Sequence, residues 1–142
     1  MPKMTAGEAV IAALYAEGVD HIFGVVGTTT NTIITPLYGR RDIRFVDSRH
    51  EEGAAFMAYG YAKASGKPTA CITTSGPGTT NLVTGIALAQ KGRAPVIAIA
   101  GDVSRDHLYR DGAQALAVVK EAEPDVVRRH LRHRLRQHHV LP

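Results

Sequence analysis

Apolar and small residues at positions 6, 9, 10, 13 and 14 recur at the spacing of one helix face, Thr5 with Glu8 three places on has the form of a capping box, and Gly18 supplies a stop. A first helix is predicted over roughly residues 5–17. Ile22-Phe23-Gly24-Val25-Val26 is a short β-branched and aromatic run closed by Gly27-Thr28-Thr29-Thr30, the pattern of a buried strand running into a loop. Ile33, Ile34 and Leu37 suggest a short helix, which Pro36 should shorten or kink because it lacks a backbone donor. Ile43-Arg44-Phe45-Val46-Asp47 alternates as a second strand.

Residues 51–65 form a long Ala-rich pattern with Ala54, Ala55, Ala58, Tyr61 and Ala62 on one face and Gly66 as C-cap. Residues 69–74 predict a third strand, a glycine loop at 75–78 leads to a helix through Leu82, Ile86 and Ala89, and Pro95–Ala100 predicts a fourth strand before a last helix. Helical and β-rich segments thus alternate with brief connections. That alternation implies the α/β class, a parallel sheet sandwiched by helices with right-handed crossovers.

Composition adds limits. A length of 142 residues at 44% apolar and 21% charged suits one domain with a real core. The +4 charge is uneven: residues 1–124 carry twelve charges of each sign, and the surplus of five Arg over one Asp follows Pro124. The domain is therefore assigned to 1–124 and a basic tail to 125–142. The neutral body argues against nucleic acid, and no stretch approaches the eighteen apolar residues of a membrane span. Cys71 is the single cysteine, so a disulfide framework and a multi-cysteine metal site are excluded; its apolar surroundings read as a buried strand thiol. The start, Met1-Pro2-Lys3-Met4, has no apolar stretch behind it, and a cytoplasmic location is expected.

Ligands of open parallel sheets bind beyond the carboxyl ends of the strands, which directs attention to three loops: Gly24–Asn31, Arg49–Ala54 and Thr73–Asn81. Gly76-Pro77-Gly78-Thr79-Thr80-Asn81 has Asn where a dinucleotide fingerprint needs its third glycine, and no GxxxxGK[ST] string occurs. Pattern alone favours a tight strand-to-helix turn there over a phosphate site. Glu51 and Glu52 open a helix, and the simpler reading is that they complement its dipole. The alternative is that Glu51, flanked by small apolar residues, exchanges a proton with a ligand nitrogen. His50 reads either as a polar loop residue or as a group titrating beside the site.

The segment His50-Glu51-Glu52-Gly53-Ala54-Ala55-Phe56-Met57-Ala58-Tyr59-Gly60-Tyr61-Ala62, then Gly66-Lys67-Pro68, then Thr73-Thr74-Ser75-Gly76-Pro77-Gly78-Thr79-Thr80-Asn81-Leu82, resembles the N-terminal pyrimidine-binding (PYR) domain of thiamine diphosphate enzymes of the acetolactate synthase type. Both motifs occur in the family's order and at about its spacing, and the resemblance covers about residues 4–115. It implies that Glu51 hydrogen-bonds the aminopyrimidine ring nitrogen of thiamine diphosphate and shifts it toward the imino tautomer that takes the proton from C2; the cofactor supplies carbanion stabilisation. It implies further that Gly27 and Thr28 face the reacting centre, and that Gly76, Pro77, Gly78 and Asn81 border the pyrimidine and a subunit interface. By the same resemblance His50 and Gln114 are candidates for the substrate side; Val26 stands where many members have Pro, and Ala113 replaces a usual aromatic.

Members of that family also carry a diphosphate-binding domain, whose GDG string and later Asn hold a divalent cation. This chain has no GDG, and its asparagines, Asn31 and Asn81, both precede Gly101-Asp102. The expectation is a pyrimidine half-site only, with Mg2+ bound on a partner domain, flavin binding left open, and a homodimer or a separate diphosphate-binding chain as partner. Alone, the chain is expected to be inactive as a decarboxylase or carboligase; a non-catalytic module that dimerises with intact relatives is the alternative. The run Arg128-Arg129-His130-Leu131-Arg132-His133-Arg134-Leu135-Arg136 is read as a disordered, truncated or out-of-frame end in preference to a basic amphipathic helix, since it lacks aromatics for base stacking.

Overall fold

The computed structural model describes residues 4–102. Helix α1 (Ala6–Ala16) starts at the expected capping box: Thr5 Oγ1 accepts from the Glu8 amide at 3.2 Å, and Glu8 Oε2 accepts from the Thr5 amide at 2.7 Å. Strand β1 (His21–Gly24) follows, then α2 (Asn31–Ile34), which passes into a 3₁₀ turn, Thr35–Leu37, where Pro36 withholds its donor. Strand β2 (Arg44–Asp47), helix α3 (Glu51–Ser65, closed by Gly66 at φ 70°) and strand β3 (Thr69–Thr73) come next. The described chain ends with α4 (Pro77–Asn81), α5 (Val83–Lys91) and β4 (Val96–Ala100). The expected last helix, Gln114 and the tail at 125–142 lie outside the described residues.

Two elements differ from their sequence-based outlines. β1 ends at Gly24 rather than Val26, because its partners run out: Gly24 pairs with Asp47 on one side and Ile72 on the other. The Val25 amide then turns to the Ile72 carbonyl at 3.3 Å, and Val26 is exposed. The single helix expected after the glycine loop is two helices, the first beginning inside that loop. Gly76 takes φ 65°, a conformation open to glycine, and Pro77 has its φ already set for a first helical position. The break falls at Leu82, whose amide reaches back three residues to the Thr79 carbonyl at 3.2 Å.

All four strands are parallel, in the order β2-β1-β3-β4. Alternate residues of the central strands feed two apolar layers. Ile22, Ala70 and Ile72 pack with Ile11, Leu14 and Val19 of the α1 side, and Phe23 and Cys71 pack with Ala54, Ala55 and Ala58 of α3 and with Leu82. Burial in the second layer pushes the Cys71 thiol up to about 12, which suits a packing residue and not a nucleophile. Small side chains let the helices approach closely: a Cβ on Gly85 of α5 would lie 2.4 Å from the Ala55 Cβ.

At the amino end of the sheet, Asp20 accepts hydrogen bonds from the Tyr61 hydroxyl (2.7 Å), Lys67 Nζ (2.7 Å) and His21 Nδ1 (2.9 Å). The Lys67, His21 and Tyr61 bonds hold its carboxyl well below the ordinary carboxylate range, and the Asp20 bond in turn raises the Tyr61 phenol. This clasp ties the last turns of α3 to the entry of β1. Among the described residues, no helix is long and apolar enough to cross a membrane.

Candidate functional site

The strand order identifies where a ligand fits. From β1 the chain moves outward to β2, and from β2 it crosses over β1 to β3, so connections leave β1 and β3 in opposite directions. The crevice at such a switch point, beyond the carboxyl ends of the two strands, is the usual binding place in parallel sheets. The loops after β1 and β3 meet there through hydroxyl groups. Thr29 Oγ1 and Thr74 Oγ1 lie 3.1 Å apart, and Thr29 Oγ1 accepts from the Ser75 amide at 3.2 Å. Thr30 Oγ1 accepts from the Gly27 amide (3.2 Å) and donates to the Gly27 carbonyl (2.9 Å), which closes the first loop on itself.

Glu51 arrives from the third direction. Ser48 ties the β2–α3 connection to the end of β1, its amide and hydroxyl both donating to the Gly24 carbonyl (2.8 and 3.2 Å). That staple sets the first turn of α3 over the carboxyl end of the sheet, with Glu51 half-buried as the first helical residue. One carboxylate oxygen, Oε2, accepts from Asn81 Nδ2 at 3.0 Å. The other, Oε1, lies 3.3 Å from the point where a Cβ on Gly78 would stand. The same point is 2.5 Å from Thr73 Oγ1 and 2.9 Å from Thr74 Cγ2, so only glycine fits between β3 and α3 there. Gly27 is confined in the same way, its Cβ position lying 2.5 Å from the Thr74 Cβ.

The structure thus brings Glu51, Gly78 and Asn81 together directly and joins Gly27 to them through Thr74. Gly76 and Pro77 form the turn that starts α4. Thr28 stands apart, exposed in the turn after β1, while its neighbour Thr29 reaches across to β3. His50 is exposed and caps α3, Nδ1 accepting from the Glu52 amide at 3.3 Å. Gln114 lies outside the described residues.

Sequence reasoning passed over Thr29, Thr73 and Thr74. The available signal was the presence of threonine runs at the ends of both central strands, whose hydroxyls face one another across the switch point. Thr73 is fully buried, and among the described residues its hydroxyl has no hydrogen-bond partner. That hydroxyl lies 2.5 Å from the point where a Cβ on Gly78 would stand, with Glu51 Oε1 3.3 Å from the same point. Among the described residues no group of three His, Cys, Asp or Glu could hold a metal ion.

Comparison with known proteins gives a consistent result. Residues 4–122 match the family described as thiamine pyrophosphate enzyme, N-terminal TPP binding domain. The chain is 43% identical over 114 residues to an acetolactate synthase of Mycobacterium bovis, an alignment covering 80% of this chain and 18% of that protein. It is 42% identical over 116 residues to the acetolactate synthase isozyme 2 large subunit of Escherichia coli, covering 82% of this chain and 21% of the relative. An acetolactate synthase of Arthrospira platensis is 42% identical over 119 residues, with 82% and 21% covered. The chain spans about a fifth of the length of these relatives.

Proposed function

Since the chain belongs to the thiamine pyrophosphate enzyme family, in the segment that forms its N-terminal TPP binding domain, we propose that it supplies the aminopyrimidine half of a thiamine diphosphate site in an acetolactate synthase-like enzyme acting on 2-oxo acids or related carbonyl compounds. The observation that carries this reading is the Glu51 carboxyl at the switch point, held by Asn81 on one oxygen and approached on the other by Gly78, where a side chain would collide with Thr73, Thr74 and Glu51. A heteroaromatic ring with one basic nitrogen is a chemically suited partner for a half-buried carboxyl beyond the ends of the central strands.

When bound, the cofactor would supply carbanion stabilisation at its thiazolium ring. The residues of this chain bind and orient its pyrimidine: Glu51 holds or releases a proton at a ring nitrogen, Asn81 keeps the carboxyl in place, and the loops at Gly27 and at Gly76-Pro77-Gly78 exclude bulk and water from one face. The diphosphate and its Mg2+ need hard oxygen ligands. We assign these to a GDG-bearing domain, in a second copy of the enzyme or in a separate chain. That partner would cover the outer face of α3 and α5, where Phe56, Met57, Val83 and Leu88 are exposed. The 142-residue chain has no GDG string, so its exposed apolar face is free to meet a second copy instead; sedimentation at high concentration should show dimers, and a strictly monomeric species would remove self-association from the proposal.

The test of the site is proton exchange. In a complex reconstituted with a GDG-bearing domain, Glu51→Gln should slow exchange of the cofactor C2 proton by at least about a hundredfold while changing cofactor affinity much less, because the amide keeps size and a hydrogen bond but exchanges no proton. Unchanged exchange in that variant overturns the role of Glu51.

A further inference from the structure

The Glu51 carboxyl has two unlike oxygens, and the cause is Asn81. Oε2 accepts from Asn81 Nδ2 at 3.0 Å, whereas Oε1 faces the bare Cα of Gly78, 3.3 Å from where a side chain would begin. Asn81 is itself well placed. It ends α4, a helix pinned to the end of β3 by Thr79 Oγ1 donating to the Thr74 carbonyl at 3.2 Å and stiffened by Thr80 Oγ1 donating to the Pro77 carbonyl at 2.8 Å. An amide N–H can only donate. The carboxyl oxygen that receives it is favoured as the carbonyl-type acceptor, so any proton that Glu51 carries rests on the other oxygen.

Building on the reading of Glu51 as the proton-exchanging group, we propose that Asn81 is its positioning residue and fixes Oε1 as the oxygen through which that proton passes. Asn81 then acts through Glu51, a role different from the direct cofactor contact that the family resemblance implied for it. The groups that the β3–α4 segment brings to this carboxyl, Thr73, Gly78 and Asn81, do not titrate; the titratable neighbours on the α3 side are His50 and Glu52.

The bond has a spectroscopic signature that needs no cofactor. In the isotopically labelled 142-residue chain at neutral pH, the Asn81 side-chain amide proton that meets Glu51 should resonate well downfield of its geminal partner. Glu51→Gln should remove most of that separation while the backbone amides of α4 keep their positions. Asn81 signals that ignore Glu51→Gln overturn the proposal.

A second experiment uses 4-amino-2-methylpyrimidine as the probe. Asn81→Asp keeps the shape but replaces the donor by a second carboxylate that shares the Glu51 proton, and should weaken probe binding about tenfold, with Asn81→Ala weakening it less. Thermal midpoints identify any variant that has lost its fold. Weaker binding in Glu51→Gln with unchanged binding in both Asn81 variants overturns the positioning role. No binding by the wild-type chain, or equal binding by Glu51→Gln, overturns instead the reading of Glu51 as the pyrimidine partner, and the Asn81 amide signal still decides the bond itself.

Discussion

Gly78→Ala tests the packing on which the whole site depends. The added methyl would stand 2.5 Å from Thr73 Oγ1, 2.9 Å from Thr74 Cγ2 and 3.3 Å from Glu51 Oε1. The first distance is far inside van der Waals contact, and Thr73 is fully buried on an inner strand with a β-branched side chain that resists rotation. Overpacking of this kind costs about 1–3 kcal/mol, and the helix propensity gained in α4 offsets up to about 1 kcal/mol of it. A net loss of about 1–2 kcal/mol is expected, or roughly 3–8 °C in the midpoint of a domain this size. Urea denaturation followed by far-UV circular dichroism measures it. Because the nearest obstacle is the Thr73 hydroxyl, Thr73→Ala should relieve most of the cost, giving a coupling of about 1 kcal/mol in the double-mutant cycle. Additivity within about 0.3 kcal/mol would refute the claim that Thr73 is what excludes a side chain at position 78.

Two further outcomes follow from the same structure. The Asp20 carboxyl is held below its ordinary 3.8 by bonds from Lys67, His21 and Tyr61, so its contribution to stability is complete above that value and is lost as pH falls below it; the stability gap between wild type and Asp20→Asn should be constant from neutral pH down to about 5 and close below about 4, and a gap that closes above pH 5 would falsify the assignment. The isolated 142-residue chain should show no decarboxylase or carboligase turnover and bind thiamine diphosphate weakly even with Mg2+, since the Glu51 carboxyl and neutral threonine hydroxyls cannot offset desolvation of a polyanion; tight Mg2+-dependent binding in calorimetry would sink the half-site reading.

The elements were legible in the sequence wherever one period or one cap dominated. The capping box of Thr5 and Glu8, the Ala face of α3 with Gly66 behind it, and the kink at Pro36 are local signals, and each appears in the structure at its place. The end of β1 was not legible, because a strand stops when its neighbours do, and the partners of Gly24 lie 23 and 48 residues away along the chain. The division between α4 and α5 was hidden for a related reason. Leu82 belongs to the apolar period of one continuous helix, and only the anchoring of Thr79 to the end of β3 shows why the turn tightens there. For the site, the motifs single out Glu51, Gly27, Gly78 and Asn81, but the bond from Asn81 to Glu51 and the threonine seam are products of topology. Thr28 and Thr29 are chemically identical in sequence; the direction of one turn exposes the first and sends the second across the switch point.

Helix α3 explains why a half-buried acid can be placed so closely by small residues. A helix of 15 residues is about 22 Å long, enough to run from the carboxyl end of the sheet to its amino end. It is fixed at both ends by polar contacts, Asn81 on Glu51 at the site and Asp20 on Tyr61 at the base. Between them Ala54, Ala55 and Ala58 pack in the layer that holds Cys71 of β3, and Gly85 of α5 meets Ala55. Methyl groups and glycine leave few alternative rotamers, so the helix axis is set by backbone approach and not by interlocking long side chains. The polar clasps then fix its rotation and its translation. Glycine at 53 and 60 works differently, since a Cβ there would meet nothing within 4 Å. At those two positions helix stability of roughly 0.5–1 kcal/mol each is forgone with no packing return among the described residues.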